Sequence, residues 1–485
     1  MSLPYFILAL ILGYFSLLFI ISRWKSRTDN YFFFTGGRNA HWLMISVGMI
    51  GASLSGVTFI SIPGWVKTQN MAYMQMVLGY LAGYAVIAVI LLPLYYRLRL
   101  ISIYQYLKDR FGPVGYKTGA SFFILSRLFG AGFRLYLVAL ILHTLVFEHF
   151  GWPFWATVSL SIGMIYLYTQ RGGIGTIIYT DVVQTIFMLG ALIAAVTFIW
   201  RDLNISNESL IGYIHSNPLS NVWFFDHFLT DGRHFIKQFL GGMFIAITMT
   251  GLDQDMMQKN LACRNLKDAQ KNMMLFSVML LPVNLIFLSL GVLLYDWAAL
   301  HGIEATGDRL FAAVAFSPEA PQILGILFIL GVIAAAYSSA DSALTALTTS
   351  FTVDILGLDL IENQRTRRIR ILTHLAMSTA MLALIVIFKY FVSESVINEI
   401  FTIAGFTYGP LLGLYVVGMF TRWQVRDRWI PLAAIAAPCL TYLLKKNSLA
   451  WFGYSFSFEL ILINGALMVF GLWLLQDRKL KGLVF

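Results

Sequence analysis

The chain has 485 residues, 58% of them hydrophobic and 12% charged. A soluble domain cannot bury that much apolar surface, and windows of roughly 20 apolar residues recur, so the composition points to an all-α polytopic membrane protein. The formal charge of +10 sits in short loops between apolar runs, which is a positive-inside bias and not a nucleic-acid-binding face.

In chain order the hydropathy pattern predicts thirteen membrane helices. The first covers 3–22 and, lacking a basic start and a small-residue cleavage site, reads as a retained span. The next are 41–66, 72–96, one ending near 147, 152–169 and 174–200. A polar segment over 201–235 separates these from helices over 236–257, 273–295, 322–355, 370–391, 398–420, 429–444 and 459–475. Loops on one side carry 24 Lys and Arg, those on the other carry 8, and Arg127 and Arg134 lie within the fourth helix, which accounts for all 34. The rich side holds the loops 23–40, 97–118, 259–271, 365–370 and 422–428 and the C-terminal tail. It is expected to be cytoplasmic, with the N-terminus outside and the C-terminus inside. Asn204-Ile205-Ser206 and Asn207-Glu208-Ser209 match glycosylation sequons on the outer side, a pattern common by chance.

Several chemistries are excluded. No GxxxxGK[ST] loop is present to bind ATP, and no HExxH or CxxC motif stands out. Cys263 and Cys439 support neither a disulfide framework nor a metal cluster. No nucleic acid or ATP is expected as a partner, and an enzyme is the weaker class.

The most informative stretch is Ile333 to Thr352, IAAAYSSADSALTALTTSFT. Ala335, Ser338, Ser339 and Ser342 fall at i, i+3, i+4 and i+7 on one helix face, and Asp341, Thr345, Thr348, Thr349 and Thr352 continue it. Hydrocarbon penalises such groups, so this face must look into protein or a wet cavity. Hydroxyls, freed carbonyls and a carboxylate are oxygen ligands suited to a small hard cation. Close packing through small residues, with hydroxyls bonded back to their own helix, is the other reading.

The 41–66 helix reads GMIGASLSGVTFISIPGW, with Gly48, Gly51, Gly56, Pro63 and Gly64 in or at the end of the span. A break there would free backbone carbonyls near the bilayer midplane, as in many secondary transporters. The 236–257 helix, five spans later, is weakened by Gly241, Gly242 and Gly251. The pair fits two five-helix repeats of inverted topology. Arg127 and Arg134, seven apart on one face, leave two readings open. One arginine binds an anionic substrate, or both are structural partners of Asp181 or of backbone carbonyls.

These residues bring in a family. Ser55 to Pro63, SGVTFISIP, resembles the first core helix of the sodium:solute symporters, particularly their anion-transporting branch. Ser102 to Phe111, SIYQYLKDRF, looks like their cytoplasmic loop signature. Gly251-Leu252-Asp253-Gln254-Asp255, with Gln258, Asn260 and Leu261, is similar to their glycine-Asp-Gln stretch. The match at Ala335 to Asp354 is the most specific. The resemblance runs over nearly the whole chain and implies the leucine-transporter fold, a ten-helix inverted-repeat core with flanking helices. It also implies one transmembrane transporter domain over 1–485: an extra helix and loop over 1–40, repeats over 41–200 and 236–420, and two C-terminal helices over 429–485.

The resemblance further places sites. A main sodium site would use the carbonyls of Gly51, Leu54 and Ala335 and the hydroxyls of Ser338 and Ser339. A second sodium would involve Asp181, Ser338, Asp341 and Ser342, Asp341 departing from the serine or threonine usual in the family. Substrate contacts would come from Ser53, Ser55, Thr58 and Gln75, as in the sialic acid branch, with Arg127 and Arg134 beside them. Asp181 and Asp341 cannot both stay ionised in a poorly solvated place without a neighbouring cation. A second sodium bridges them, or one is protonated, or Arg127 neutralises one.

The expected function is sodium-coupled import of a small organic solute across the plasma (inner) membrane, either an anion such as sialic acid or a carboxylate, or a neutral sugar or polyol. The alternatives are an uncoupled facilitator, which would not need Asp181, Ser338, Ser339 and Asp341 on facing helices, and a transporter-like sensor. The sequence runs ten residues past the last predicted helix, so a sensor's kinase or receiver domain is not expected.

Overall fold

A backbone without water to bond to must satisfy itself, and in this computed structural model it does so with helices. The structure describes residues 3–25, 29–205, 208–358, 363–391 and 396–477. Both sequons take in Ser206 or Asn207, which lie outside the described residues. In chain order the main helices are α1 (Leu3–Lys25), α2 (Trp42–Ser53), α3 (Gly56–Gln69), α4 (Tyr73–Arg97), α5 (Pro113–Phe150), α6 (Phe154–Gly172), α7 (Ile174–Asp202) and α8 (Phe235–Gly251). They continue with α9 (Gln254–Leu261), α10 (Leu266–Leu300), α11 (Gln322–Ile355), α12 (Gln364–Phe391), α13 (Val396–Thr407), α14 (Gly409–Phe420), α15 (Ile430–Phe452) and α16 (Leu460–Leu474). Among the described residues 7 helices are long and apolar enough to cross a membrane, or 10 if each of three bent pairs is one span. α6, α15 and α16 stand at the remaining predicted positions.

The three bends organise the interior. α2 and α3 meet at 58°, α8 and α9 at 64°, and α13 and α14 at 41°. The first bend was expected. The second turns the end of the 236–257 prediction into a separate helix capped by Asp253, whose carboxylate accepts from Asp255 N at 2.9 Å and Met256 N at 3.3 Å. The third falls at Tyr408, inside the helix expected over 398–420, just before Gly409-Pro410, a pair that disfavours a continuous helix.

α7 lies against both α2 and α11, and α4 lies along α8. The α4–α8 approach needs glycine. A Cβ on Gly79 would overlap the Phe239 carbonyl, and one on Gly242 the Met76 carbonyl. α11 is buried continuously from Gly331 to Ser350, so its hydroxyl ladder faces protein on every side.

Candidate functional site

At the first bend the backbone ladder is interrupted. Leu54 N still donates to Ile50 O at 2.9 Å, and the ladder resumes with Phe59 N on Ser55 O at 3.1 Å. Between them Ser55 N does not reach Gly51 O, nor Thr58 N Leu54 O. Ala52 O and Ser53 O likewise receive no helical donor, so four carbonyls, those of Gly51, Ala52, Ser53 and Leu54, are freed at the bend. A Cβ on Gly56, the first residue past the bend, would lie 3.3 Å from Ala336 Cβ and 3.4 Å from Val332 O, so the bend rests on α11 one turn before Ser338 and Ser339.

On α11, Ser339 Oγ donates back to Ala336 O at 3.0 Å and Ala335 O at 3.3 Å. Ser338 Oγ donates to Asp181 Oδ1 on α7 at 2.6 Å. Both serine oxygens keep lone pairs, and neutral hydroxyl and carbonyl oxygens are the ligand type a small hard cation takes. Among the described residues no group of three or more His, Cys, Asp or Glu could hold a metal ion. Thr185, one turn beyond Asp181, accepts from Gly51 N at 3.1 Å and donates to Val47 O and Asp181 O, which pins α2 to α7. A Cβ on Gly48 would lie 2.9 Å from Asp181 Cβ, and one on Gly51 would overlap Thr185 Oγ1.

Asp181 is fully buried, and its partner corrects the sequence reading. Arg127 does not neutralise it; Lys259 on α9 does, with Nζ 2.7 Å from Asp181 Oδ2. The charge pattern puts Lys259 in the cytoplasmic 259–271 loop, but the bend at Leu252-Asp253 carries it inside, where it is 1% exposed. Arg127 is committed instead to Asp253 and Asp255. Asp341 Oδ2 accepts from Tyr168 at 2.7 Å and Oδ1 from Ser342 Oγ at 3.2 Å.

Beside the first bend lies a cavity of about 80 Å³. Ser53, Ser55, Thr58, Arg127 and Arg134 line it, with Asn284 and the tyrosines 73, 80 and 84. Arg134 makes no hydrogen bond or close ion pair among the described residues, which distinguishes it from Arg127. Gln75 does not line this cavity. Its amide donates to Arg233 O at 2.8 Å and accepts from Phe224 N at 3.3 Å, so it clamps the 221–235 segment. Asn284 was not anticipated. Its Nδ2 donates to Leu280 O while Oδ1 is buried without a partner among the described residues, and a lone asparagine in the run LLPVNLIF was the signal for it. A second cavity of about 320 Å³ opens beyond Tyr73 and Phe401, which line both.

Residues 33–424 match the model of the sodium:solute symporter family. The chain belongs to this family. Among its relatives, the sodium/iodide cotransporter of Homo sapiens is 26% identical over 408 residues, 80% of this chain and 61% of that protein. The sodium/sialic acid symporter NanT of Aliivibrio fischeri is 24% identical, with 83% of this chain and 79% of that one aligned. The chain thus spans about 61% of the length of the human relative. A solved Na+-coupled sialic acid symporter in a substrate-bound outward-open state superposes with a TM-score of 0.80 at 19% identity, covering 96% of this chain and 97% of that one. At that identity the likeness concerns the fold, which this member of the sodium:solute symporter family shares: a membrane-embedded helical transporter fold built on interrupted helices.

Proposed function

We propose that the protein is a sodium-coupled symporter importing a small organic anion of the carboxylate class by alternating access. The observation that carries the substrate class is Arg134, a guanidinium at this cavity that makes no hydrogen bond or close ion pair among the described residues. A planar fork in a poorly solvated place favours a carboxylate, which it holds through two parallel N–H donors. Ser53, Ser55, Thr58 and Asn284 line the same space and suit the hydroxyl or amide groups of such a solute.

Sodium coupling is supported by family membership and by the oxygen set at the bend. Sodium would bind between the carbonyls of Gly51, Leu54 and Ala335 and the hydroxyls of Ser338 and Ser339, holding α2 against α11. Only differential affinity shifts a conformational equilibrium, so sodium must favour the outward-open arrangement and substrate the closed one. The basic-loop bias supports a plasma (inner) membrane orientation with the N-terminus outside and the C-terminus cytoplasmic. Moving one charge inward through about 100 mV releases about 2.3 kcal/mol. A tenfold sodium gradient adds about 1.4 kcal/mol. One sodium would then concentrate a neutral solute roughly 500-fold.

The test is uptake of a panel of labelled carboxylates, inorganic anions and neutral sugars into proteoliposomes, with and without a sodium gradient. Sodium-stimulated uptake confined to carboxylates is expected. Uptake confined to neutral sugars would overturn the substrate class.

A further inference from the structure

We infer that Lys259 is a resident cation that fills the place a second sodium would take at Asp181, so that the protein carries a single sodium per cycle; this rests on the symport reading above.

The four residues assigned by resemblance to a second sodium already have partners. Asp181 Oδ1 accepts from Ser338 at 2.6 Å, and Oδ2 lies 2.7 Å from Lys259 Nζ. Asp341 is hydrogen bonded by Tyr168 and Ser342. A sodium on Asp181 would have to displace an ammonium that is itself almost fully buried and that bonds no other oxygen among the described residues. Two unit charges of one sign at one carboxylate in a water-poor interior repel strongly, so the ammonium and a sodium exclude each other.

The ammonium also does what a free ion cannot. Lys259 belongs to α9, the helix turned inward by the second bend, and Asp181 belongs to α7, which packs against the first bend. The pair ties the second bent element to the first through Asp181, Ser338 and α11. A covalently held cation keeps this link at all sodium concentrations, whereas a bound ion would make it depend on sodium.

The inference predicts what happens when the ammonium is removed. A buried carboxylate without its cation is strongly unfavourable, and a cation from solution is its simplest replacement. Radioactive sodium bound per purified protein at saturation should rise by one in Lys259→Met relative to wild type. The added ion should vanish in Lys259→Met with Asp181→Asn, and Lys259→Arg should keep the wild-type count. The readout is a difference, so a wild type that binds no sodium would contradict the symport reading while the difference still decides this one. An unchanged count in a folded Lys259→Met overturns the inference. Should that variant not fold, the wild-type count decides: one ion supports it, and two ions overturn it.

Discussion

Ser338 on α11 donates a 2.6 Å hydrogen bond to Asp181 on α7, and both side chains are fully buried. This bond joins the hydroxyl ladder of α11 to the carboxylate that is ion-paired with Lys259. Ser338 therefore stands where the proposed sodium site and the ion pair touch, and Ser339, one residue on, bonds only to its own helix.

The two serines should accordingly behave differently. Ser339→Ala removes one proposed sodium ligand worth about 1–2 kcal/mol, and should raise the sodium concentration for half-maximal uptake by roughly tenfold. Ser338→Ala should do the same and also lower thermal stability, because Asp181 Oδ1 loses its donor. Sodium titrations of uptake and melting curves in detergent check both. Unchanged sodium dependence in both variants would remove the site assignment.

The α5 arginines, Arg127 and Arg134, should separate just as clearly. Arg134→Ala should weaken carboxylate binding with sodium binding retained, and Arg134→Lys should restore it only in part, since a point charge lacks the fork. Arg127→Ala should instead destabilise the fold by about 3–5 kcal/mol, leaving Asp253 and Asp255 buried without their cation. Substrate binding and melting temperature measured on the same preparations decide it.

Gly51 offers a steric test of the first bend. Gly51→Ala would drive a Cβ into Thr185 Oγ1 and should cost about 1–3 kcal/mol of stability. Thr185→Ala makes room, so the double variant should be less destabilised than the sum of the singles, which a double-mutant cycle on melting data measures.

The bend at Leu54, the ladder on α11 and the interior arginines were legible in the sequence because each is a local conflict. Glycines interrupt an apolar span, hydroxyls line a helix with no water to meet, and guanidiniums sit within hydrocarbon length. Lys259 was not legible. It stands close to Arg264, Lys267 and Lys271, so charge patterning reads it as loop, and only the 64° turn before Gln254 buries it. Arg127 and Arg134 share a helix face, and what separates them is a contact with Asp255, 128 positions away in the chain. The contacts of Gln75 were hidden for the same reason, its partners at Phe224 and Arg233 being reachable only through tertiary folding. The break at Tyr408 was signalled by Gly409-Pro410 and passed over within a long apolar run.

A single sodium carried with a monovalent carboxylate moves no net charge. Transport of such a substrate should therefore produce no current, and clamping the membrane potential should leave its rate unchanged. Only the chemical gradient then drives accumulation, about tenfold for a tenfold sodium gradient. An inward current of one charge per substrate would require a second cation and would contradict the role given to Lys259.

The most direct measurement of the central claim is the steady-state accumulation of a labelled carboxylate in proteoliposomes under an imposed inward sodium gradient. The account predicts accumulation above the external concentration, collapse when a sodium ionophore is added, and loss of uptake in Arg134→Ala. Uptake that stops at equal concentrations whatever the sodium gradient would contradict it.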